Sequence, residues 1–372
     1  MAWLDSLSPQ TQFVIFTLIK IACAVGALLT MVAYSVLVER KVSAFIQDRV
    51  GPNRTAIPWI AAIPVLGPFL VRLGIFQPLA DGLKFILKED FTPAHVRKIY
   101  FWLAPAVAMV PAFLTIAVIP FGSTLGNQKM VIADLNVGVL YTFGIVSLAV
   151  YGIVLAGYSA NSKYPFFGGI RSSAQMISYE ITMGMSVIPV FLLSGTLNLS
   201  ELIVKQSGWH EVLPFVPNWY VFQSPMTFLA FVIFLIAAFA ETNRLPFDMP
   251  ECETELVGGY HTEYSSMKFA LFFLGEYAAM IAVSALMVVL FFGGWTLPFF
   301  GLDQMAGSVG MGILHIGVFI GKMLFFMVVF IWVRWMIPRF RYDQLMDLGW
   351  KRILPVALAN IILTAAWLWW RA

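Results

Sequence analysis

The sequence predicts an all-α, polytopic membrane protein with about eight transmembrane helices and one amphipathic surface helix. Its 372 residues are 60% hydrophobic and only 12% charged, whereas a soluble domain is roughly 45–50% apolar and about one quarter charged. A soluble chain of this length could not bury so much apolar surface, so lipid must be its solvent. The composition therefore excludes a soluble enzyme, a nucleic-acid-binding protein and a disordered protein.

Eight apolar runs reach about the 20 residues that a helix needs to cross a bilayer. We expect a single membrane domain over residues 1–372, with spans 1 to 8 at about 11–37, 98–120, 135–160, 171–195, 224–241, 267–292, 312–337 and 351–370. Lys and Arg are enriched in loops on the inner side of a membrane. Of the 23 basic residues, 18 lie in or beside the loops that follow spans 1, 3, 5 and 7. Those loops are predicted on the inner side, and both termini on the outer side.

The surface segment, residues 55–90, separates spans 1 and 2. Its second half has apolar residues at helical spacing, at Phe76, Leu79, Leu83, Ile86 and Leu87, and polar residues opposite them, at Gln77, Asp81, Lys84 and Lys88. This pattern predicts an amphipathic helix at the membrane surface. Its first half is apolar but interrupted by Pro58, Pro64 and Pro68. That stretch is either a hairpin dipping into the bilayer or a surface packed against a partner chain.

Carboxylates lie in or beside the apolar spans, where an ionisable group costs a few kcal/mol or more and indicates a function. Glu180 and Glu276 lie nine residues inside spans 4 and 6, about 13 Å from the inner surface at the helical rise. Glu39 and Glu241 end spans 1 and 5 on that same side, and Lys322 lies near the middle of span 7. One alternative is that Glu180 or Glu276 only pairs with Lys322 or hydrogen-bonds a neighbouring helix. Four acids on one side favour proton transfer, because burial and nearby charges tune carboxylate proton affinity.

The acidic inner loop, residues 241–266, is the second unusual feature. Six carboxylates there accompany one cation, Arg244. They are Glu241, Asp248, Glu251, Glu253, Glu255 and Glu263. Their density beside the inner ends of spans 4 and 6 suggests a switchable acidic gate, and a solvated acidic loop is the alternative.

Cofactor motifs are missing from the sequence. Two cysteines cannot build an iron–sulfur site, the four histidines lack metal-ligand spacing, and there is no P-loop, dinucleotide fingerprint or CxxC motif. Any redox cofactor is therefore expected in another chain.

Seven segments, taken in chain order, resemble one family of membrane subunits of NADH:quinone oxidoreductase (respiratory complex I), whose mitochondrial equivalent is NADH dehydrogenase subunit 1. They are ERKVSAFIQDRVGPNR after span 1, QPLADGLKFILKED in the surface helix, ADLNVGVLY, GYSANSKYPFFGGIRSSAQMISYE, ETNRLPFDMPECETELVGGYHTEYSSMKFALFFLGEY, FFGGW and PRFRYDQLMDLGWKRILP. The resemblance covers nearly the whole chain, and its motifs are long.

The resemblance implies a subunit that closes a quinone chamber from below and has no independent activity. Quinone, either ubiquinone or menaquinone, would be the substrate and would enter between span 1, the surface helix and span 6. No FMN or iron–sulfur cluster is expected in this chain. By motif position the quinone-binding residues would be Glu39, Arg40, Arg54 and Asp81. The proton path would comprise Glu180, Glu276, Glu241, Asp248, Glu251, Glu253, Glu255 and Glu263.

The resemblance also implies partners and a location. The partners would be the hydrophilic subunits that carry the terminal iron–sulfur cluster, small membrane subunits, antiporter-like subunits and lipids, without nucleic acid. The location would be the bacterial inner membrane, or the mitochondrial inner membrane if the chain is organellar. This chain departs from the family pattern in the apolar stretch between GPNR and FQPLAD. The stretch has about 20 residues, whereas many relatives have fewer than ten.

Two other functions fit a chain with buried acids. A stand-alone cation or proton transporter often shows internal repeats and broken midplane helices, and no repeat is visible in this sequence. The membrane anchor of an energy-converting hydrogenase is the second alternative. Purification in mild detergent distinguishes an isolated chain, a quinone-reducing assembly and a hydrogenase.

Overall fold

Helices occupy all eight predicted spans in the computed structural model, which describes residues 8–126, 128–210, 215–248 and 258–371. The helices are α1 Pro9–Ile46, α2 Pro58–Ala61, α3 Leu66–Leu73, α4 Gln77–Leu87, α5 Lys98–Ile116, α6 Gly138–Val146, α7 Leu148–Ser159, α8 Lys163–Ser194, α9 Leu199–Lys205, α10 Tyr220–Gln223, α11 Pro225–Glu241, α12 Ser266–Phe291, α13 Val309–Met336, α14 Tyr342–Asp347 and α15 Leu354–Arg371. Within the described residues, the strands form one short hairpin, Thr124–Leu125 with Gln128–Lys129.

The predicted all-α polytopic fold is confirmed. Seven described helical segments are long and apolar enough to cross a membrane, with α6 and α7 counted as one segment, and α14 to α15 as another. The remaining predicted span, span 5, is α11, a shorter apolar helix of 17 residues. That all eight cross the bilayer stays a prediction.

Several helices extend beyond the predicted apolar spans. Helix α8 begins at Lys163 rather than near residue 171, and Pro165 is tolerated there because a first-turn residue needs no intrahelical N–H bond. Helix α1 continues to Ile46, and the last helical segment begins at Tyr342 and includes a π-helical turn. Hydropathy marks the apolar part of a helix, not its hydrogen-bonded length. Glu180 therefore lies near the middle of α8, farther from the helix start than predicted.

The loops gather at two ends of the helical bundle. At one end, Arg97 N donates to Ser159 O at 2.9 Å, and Phe340 N donates to Pro246 O at 3.1 Å. These bonds join the loops that follow spans 1, 3, 5 and 7, so that end is called the inner end. At the opposite end, Ser123 Oγ and His315 Nδ1 lie 2.7 Å apart. The alternation agrees with the predicted topology, whose sidedness stays a prediction.

Helix α12 lies at the centre of the bundle. Every residue from Met280 to Phe291 is buried, so the outer half of this helix is enclosed by other helices. Its inner half carries Glu276 and Tyr277. Glu276 and Tyr277 therefore lie next to the fully buried half of this helix.

The surface segment folds as predicted in its second half. Helix α4 is amphipathic, and Leu79, Leu83, Ile86 and Leu87 on its apolar side are exposed. The proline-rich first half forms two short helices, α2 and α3. Gly67 allows them to touch, because a Cβ atom at this position would lie 2.4 Å from Ala61 O.

Candidate functional site: a cavity and its buried charges

A cavity of about 1000 Å³ lies between α1, α4, α12 and the inner end of α13. This volume is at the upper end of the range for small-molecule sites, roughly 300–1000 Å³. Most of its lining is apolar, and includes Val32, Val36, Phe85, Phe269 and Phe273. Charged residues also line it, namely Glu39, Arg40, Arg49, Asp81 and Arg334. Such a cavity suits an amphiphile with a long apolar part and a polar head.

An ion pair joins two helices that frame this cavity. Arg40 Nη1 of α1 donates to Asp81 Oδ2 of α4 at 2.6 Å, and Gln77 Nε2 donates to Asp81 Oδ1 at 2.9 Å. Both Arg40 and Asp81 line the cavity, and their role in quinone binding stays a prediction. The pair is partly exposed, and such pairs contribute only about 0–1 kcal/mol. Its main effect is to place charge at the rim.

Glu39 is the buried acid at the cavity wall. It continues the helical face of α1 on which Leu28, Val32 and Ser35 are buried, and the spacing of these positions turns its carboxylate inward. Tyr277 Oη donates to Glu39 Oε2 at 2.6 Å. Arg244 and Arg334 also donate to this carboxylate. Helix α1 thus meets α12, α13 and the loop after α11 at one side chain.

Arg244 connects this acid to a second one. Its Nη1 lies 3.3 Å from Glu39 Oε2, and its Nε lies 2.7 Å from Glu276 Oε1 of α12. Its guanidinium also stacks over the Tyr277 ring, with Cζ 4.3 Å from the ring centroid. A cavity of about 60 Å³ adjoins this group. Two arginines and two glutamates therefore compensate each other's charge, as a buried ionic cluster requires.

Asp248 belongs to the same end of the bundle but pairs separately. Arg339 Nη2 donates to Asp248 Oδ2 at 3.0 Å, and Asp248 is buried. It lines the 60 Å³ cavity together with Glu276 and Arg244. The first part of the acidic loop is therefore fixed against the bundle, which differs from a fully solvated loop.

Glu241 and Glu180 form a second acidic group, away from the arginines. Glu241 is 5% exposed, and both of its carboxylate oxygens lack a hydrogen-bond partner among the described residues. Glu180 of α8 is partly buried and lies near enough to repel the charge of Glu241. A buried polar group without a partner is costly and requires an explanation.

Other predicted site residues lie elsewhere. Arg54 is exposed and does not line the cavity. Glu263 is half-buried and makes no ion pair among the described residues. Glu251, Glu253 and Glu255 lie outside the residues that the structure describes.

The alternative in which a buried glutamate only pairs with Lys322 is wrong. Its Nζ donates to the carbonyls of Phe292, Gly294 and Thr296 at 2.7, 3.0 and 2.6 Å, and lies 4.2 Å from the Trp219 ring centroid. These carbonyls follow the outer end of α12, where the helix dipole favours a cation. The buried apolar half of α12 separates this lysine from the inner acids.

Three candidate site residues were not predicted from the sequence. Tyr277, Arg334 and Arg339 contact the predicted acids directly. The two arginines contributed only to the prediction of orientation, because their partners are distant in the chain. Tyr277 follows Glu276 immediately, which is a weak local signal.

No group of three or more His, Cys, Asp or Glu side chains in the described part of the chain is arranged to hold a metal ion. The charged and polar groups described above are arginines, carboxylates and a tyrosine hydroxyl. These groups can bind a polar head and exchange protons with it.

Comparison with known proteins identifies the family. A family model described as NADH dehydrogenase matches residues 19–365. The chain is 46% identical to an NADH-quinone oxidoreductase subunit of Koribacter versatilis, over 95% of this chain and 97% of that protein. It is 47% identical to an NADH-quinone oxidoreductase subunit of Leptospira biflexa, over 95% of both proteins, and 47% identical to NADH-quinone oxidoreductase subunit 8 of Rhodothermus marinus, over 92% of this chain and 94% of that protein. The predicted resemblance is therefore confirmed, and the chain belongs to the NADH dehydrogenase subunit 1 family of NADH:quinone oxidoreductase, respiratory complex I.

Proposed function

We propose that this chain forms the floor and entrance of the quinone-binding chamber of its oxidoreductase complex. The observation that carries the proposal is the cavity framed by α1, α4 and α12, with apolar walls and a charged end at Glu39. A long-tailed quinone is an amphiphile of this kind. Its tail matches the apolar walls, and its ring oxygens accept hydrogen bonds from groups such as Arg334.

Quinone reduction changes the charge at this end of the cavity. Two electrons from a partner subunit and two protons convert quinone to quinol, and negative charge develops on the ring oxygens before the protons arrive. An anionic ring oxygen competes with Glu39 for the guanidinium of Arg334 and the hydroxyl of Tyr277. The competition changes the proton affinity of Glu39. Electrostatic effects of this kind are larger in a low-dielectric interior than in water.

The proposed proton path leads from the cavity into the bundle. Arg244 links Glu39 to Glu276, and Glu241 lies three residues before Arg244 with a buried, unpartnered carboxylate. Glu180 is its acidic neighbour. These four acids are spread over α1, α12, α11 and α8, so a change at the cavity can reach the spanning helices. The resulting movement of protons and helices would be passed on to the antiporter-like subunits.

The acidic loop is proposed as the gate of this path. Asp248 is held by Arg339 at one end of the loop, and Glu263 lies near its other end. Between them, Glu251, Glu253 and Glu255 crowd three like charges within five residues, and coupled acids of this kind titrate as a set. A loop that moves between arginine-rich and acid-rich surroundings would take up or release protons.

The assembly and its location complete the proposal. The partners are the hydrophilic subunits that carry the terminal iron–sulfur cluster, small membrane subunits and antiporter-like subunits. The substrate is a ubiquinone or a menaquinone, and no FMN or cluster resides in this chain. The complex lies in the bacterial inner membrane, with both termini of this chain on the outer side.

Narrowing the cavity tests the proposed entrance. Gly82 of α4 lines the cavity, and a Cβ atom there would meet no other atom within 4 Å. Gly82→Trp should raise the apparent KM for long-tailed quinones by roughly 2- to 10-fold. To admit the quinone tail, the introduced indole must leave its preferred rotamer, which costs about 0.5–1.5 kcal/mol. Short-tailed quinones should be affected less. Steady-state NADH:quinone reductase activity of the complex in membranes measures both.

The matched control is Leu79→Trp. Leu79 lies one turn earlier on α4, is exposed and does not line the cavity. The KM values of the Leu79→Trp complex should therefore equal those of the unmodified complex. Electron transfer from NADH to a hydrophilic acceptor should be unchanged in both variants. Unchanged KM values for every quinone in Gly82→Trp would contradict the proposed entrance.

A further inference from the structure

The proline-rich hairpin, residues 55–75, is a surface feature that the proposed function leaves unexplained. Its tip is apolar and exposed: Val65 is 86% exposed, and Ile63 and Leu66 beside it are exposed as well. Near its start, Trp59 is 81% exposed. Apolar surface of this extent marks a contact with lipid or with a protein.

The root of the hairpin lies where α1 leaves its apolar run. A Cβ atom at Gly74 would lie 2.6 Å from Pro52 O and 3.4 Å from the Leu37 side chain. Lys41 Nζ donates to Arg72 O at 3.1 Å. Leu37 ends the predicted span 1, and Lys41 follows it on the inner side. The hairpin is therefore attached at the depth of the inner membrane interface.

The charges within the hairpin and beside its first residue are complementary to an anionic membrane surface. Residues 50–80 contain no acidic side chain, and their two basic residues are Arg54 and Arg72. Both are exposed, and neither guanidinium makes an ion pair or hydrogen bond within the described part of the chain. They flank the apolar tip on both sides, and Trp59 lies beside the first. Apolar residues bounded by Trp and Arg are typical of segments that lie in the lipid interface.

We propose that this hairpin inserts its apolar tip into the inner leaflet and that Arg54 and Arg72 bind the headgroups of anionic lipids. Pro52, whose carbonyl lies against Gly74 at the root of the hairpin, also lines the large cavity. If that cavity admits quinone, as proposed above, the hairpin anchors one edge of its opening in the lipid from which quinone arrives. The insertion itself does not depend on that function.

Photo-crosslinking in the assembled complex tests the insertion. The complex is purified into nanodiscs of phosphatidylcholine and phosphatidylglycerol, with p-benzoylphenylalanine in place of Val65, and mass spectrometry identifies the adducts. We expect phospholipid adducts at Val65. The same probe at Asp343, an exposed residue of α14 at the inner end, should give far fewer. Adducts at Val65 with protein only, or a lipid yield no higher than at Asp343, would overturn the insertion.

The arginines are tested in the same nanodiscs. Each basic residue near an anionic surface contributes about a fivefold preference, so Arg54→Gln with Arg72→Gln should lower the phosphatidylglycerol share of the adducts severalfold. The matched control is Lys163→Gln with Arg352→Gln, which removes two exposed cations elsewhere at the inner end and should leave that share unchanged. An equal share in the test variant and the unmodified complex would refute the headgroup role. This readout does not involve quinone turnover, so it is independent of the proposed function.

Discussion

At the residue scale, Arg244 is the side chain that joins the acids of different helices. In the sequence it is the single cation of an acidic loop. In the structure it pairs with Glu39 of α1 and Glu276 of α12. Removing one partner of a buried ion pair leaves an uncompensated charge, which is far more costly than loss of an exposed pair. Each of these three charges is therefore compensated by the others.

Neutralising Glu276 should uncouple the complex without stopping electron input. Glu276→Gln keeps the side-chain size but leaves Arg244 with one carboxylate fewer. We expect quinone reduction coupled to proton pumping to fall by roughly 2- to 30-fold, the range that a coupling energy of 0.5–2 kcal/mol implies. NADH oxidation by a hydrophilic acceptor should remain, since its electrons leave upstream. Both rates are measured in membranes with matched complex content.

Two controls distinguish charge from packing at this position. Glu276→Asp retains the negative charge and should recover part of the coupled rate. Glu89→Gln removes an exposed glutamate that follows α4 and should have no effect. Full coupled activity in Glu276→Gln would assign this carboxylate a structural role only.

At the element scale, close packing of α5 against α7 depends on a glycine. A Cβ atom at Gly152 would lie 2.4 Å from the backbone N of Ala108, and helices in membranes use small residues for such approaches. Gly152→Leu should separate the two helices and destabilise the complex by about 1–3 kcal/mol. Thermal denaturation of the purified complex measures the loss of stability.

Gly144→Leu is the matched control for Gly152→Leu, because a Cβ at Gly144 meets no atom within 4 Å. An equal loss of stability in both variants would contradict the packing argument.

The turn that precedes α12 should respond to pH. His261 ends the 3₁₀ turn Gly259–His261 and is buried among aromatic rings, and burial lowers its pKa to about 4. The imidazole is neutral in the folded turn and binds a proton near its ordinary pKa of 6.5 when the turn opens. The folded turn therefore loses stability as pH falls from about 6.5 to about 4. Above about pH 6.5 this contribution is constant.

Hydrogen exchange measures this dependence. Exchange of residues 258–264, corrected for intrinsic rates, should show weaker protection as pH decreases through that window. His261→Phe keeps an aromatic ring beside Phe269 and removes the titrating group, so its protection should not vary with pH. A pH-dependent protection that is identical in both proteins would assign the effect to another residue.

At the scale of the whole molecule, the loops after spans 1, 3, 5 and 7 share one end with the cavity and the acidic cluster. The distribution of Lys and Arg predicts that this end is the inner one. Tags at both termini should be accessible to protease from the outer side, and a tag beside Lys163 only after the membrane is opened. Right-side-out and inverted vesicles provide the two measurements. An inner-side N-terminus would contradict the predicted orientation.

The sequence by itself determined the fold class, the positions of the long apolar helices and the surface helix. Each depends on local quantities, because crossing a bilayer requires about 20 apolar residues whatever the partners. It also identified most acids of the site, since an ionisable residue in or beside an apolar run stands out without any tertiary information. Helix ends were less well predicted, as α8 shows, because hydropathy does not detect polar turns that continue a helix.

The tertiary structure alone decided which charges meet. Glu39, Arg244, Glu276 and Arg334 come from four separate elements, and no local pattern encodes contacts between residues so far apart in sequence. The same limit explains Lys322, whose partners proved to be the carbonyls after α12 rather than a glutamate. The local composition of the chain predicts that a charged residue is buried. Which partner compensates that charge depends on how the helices pack.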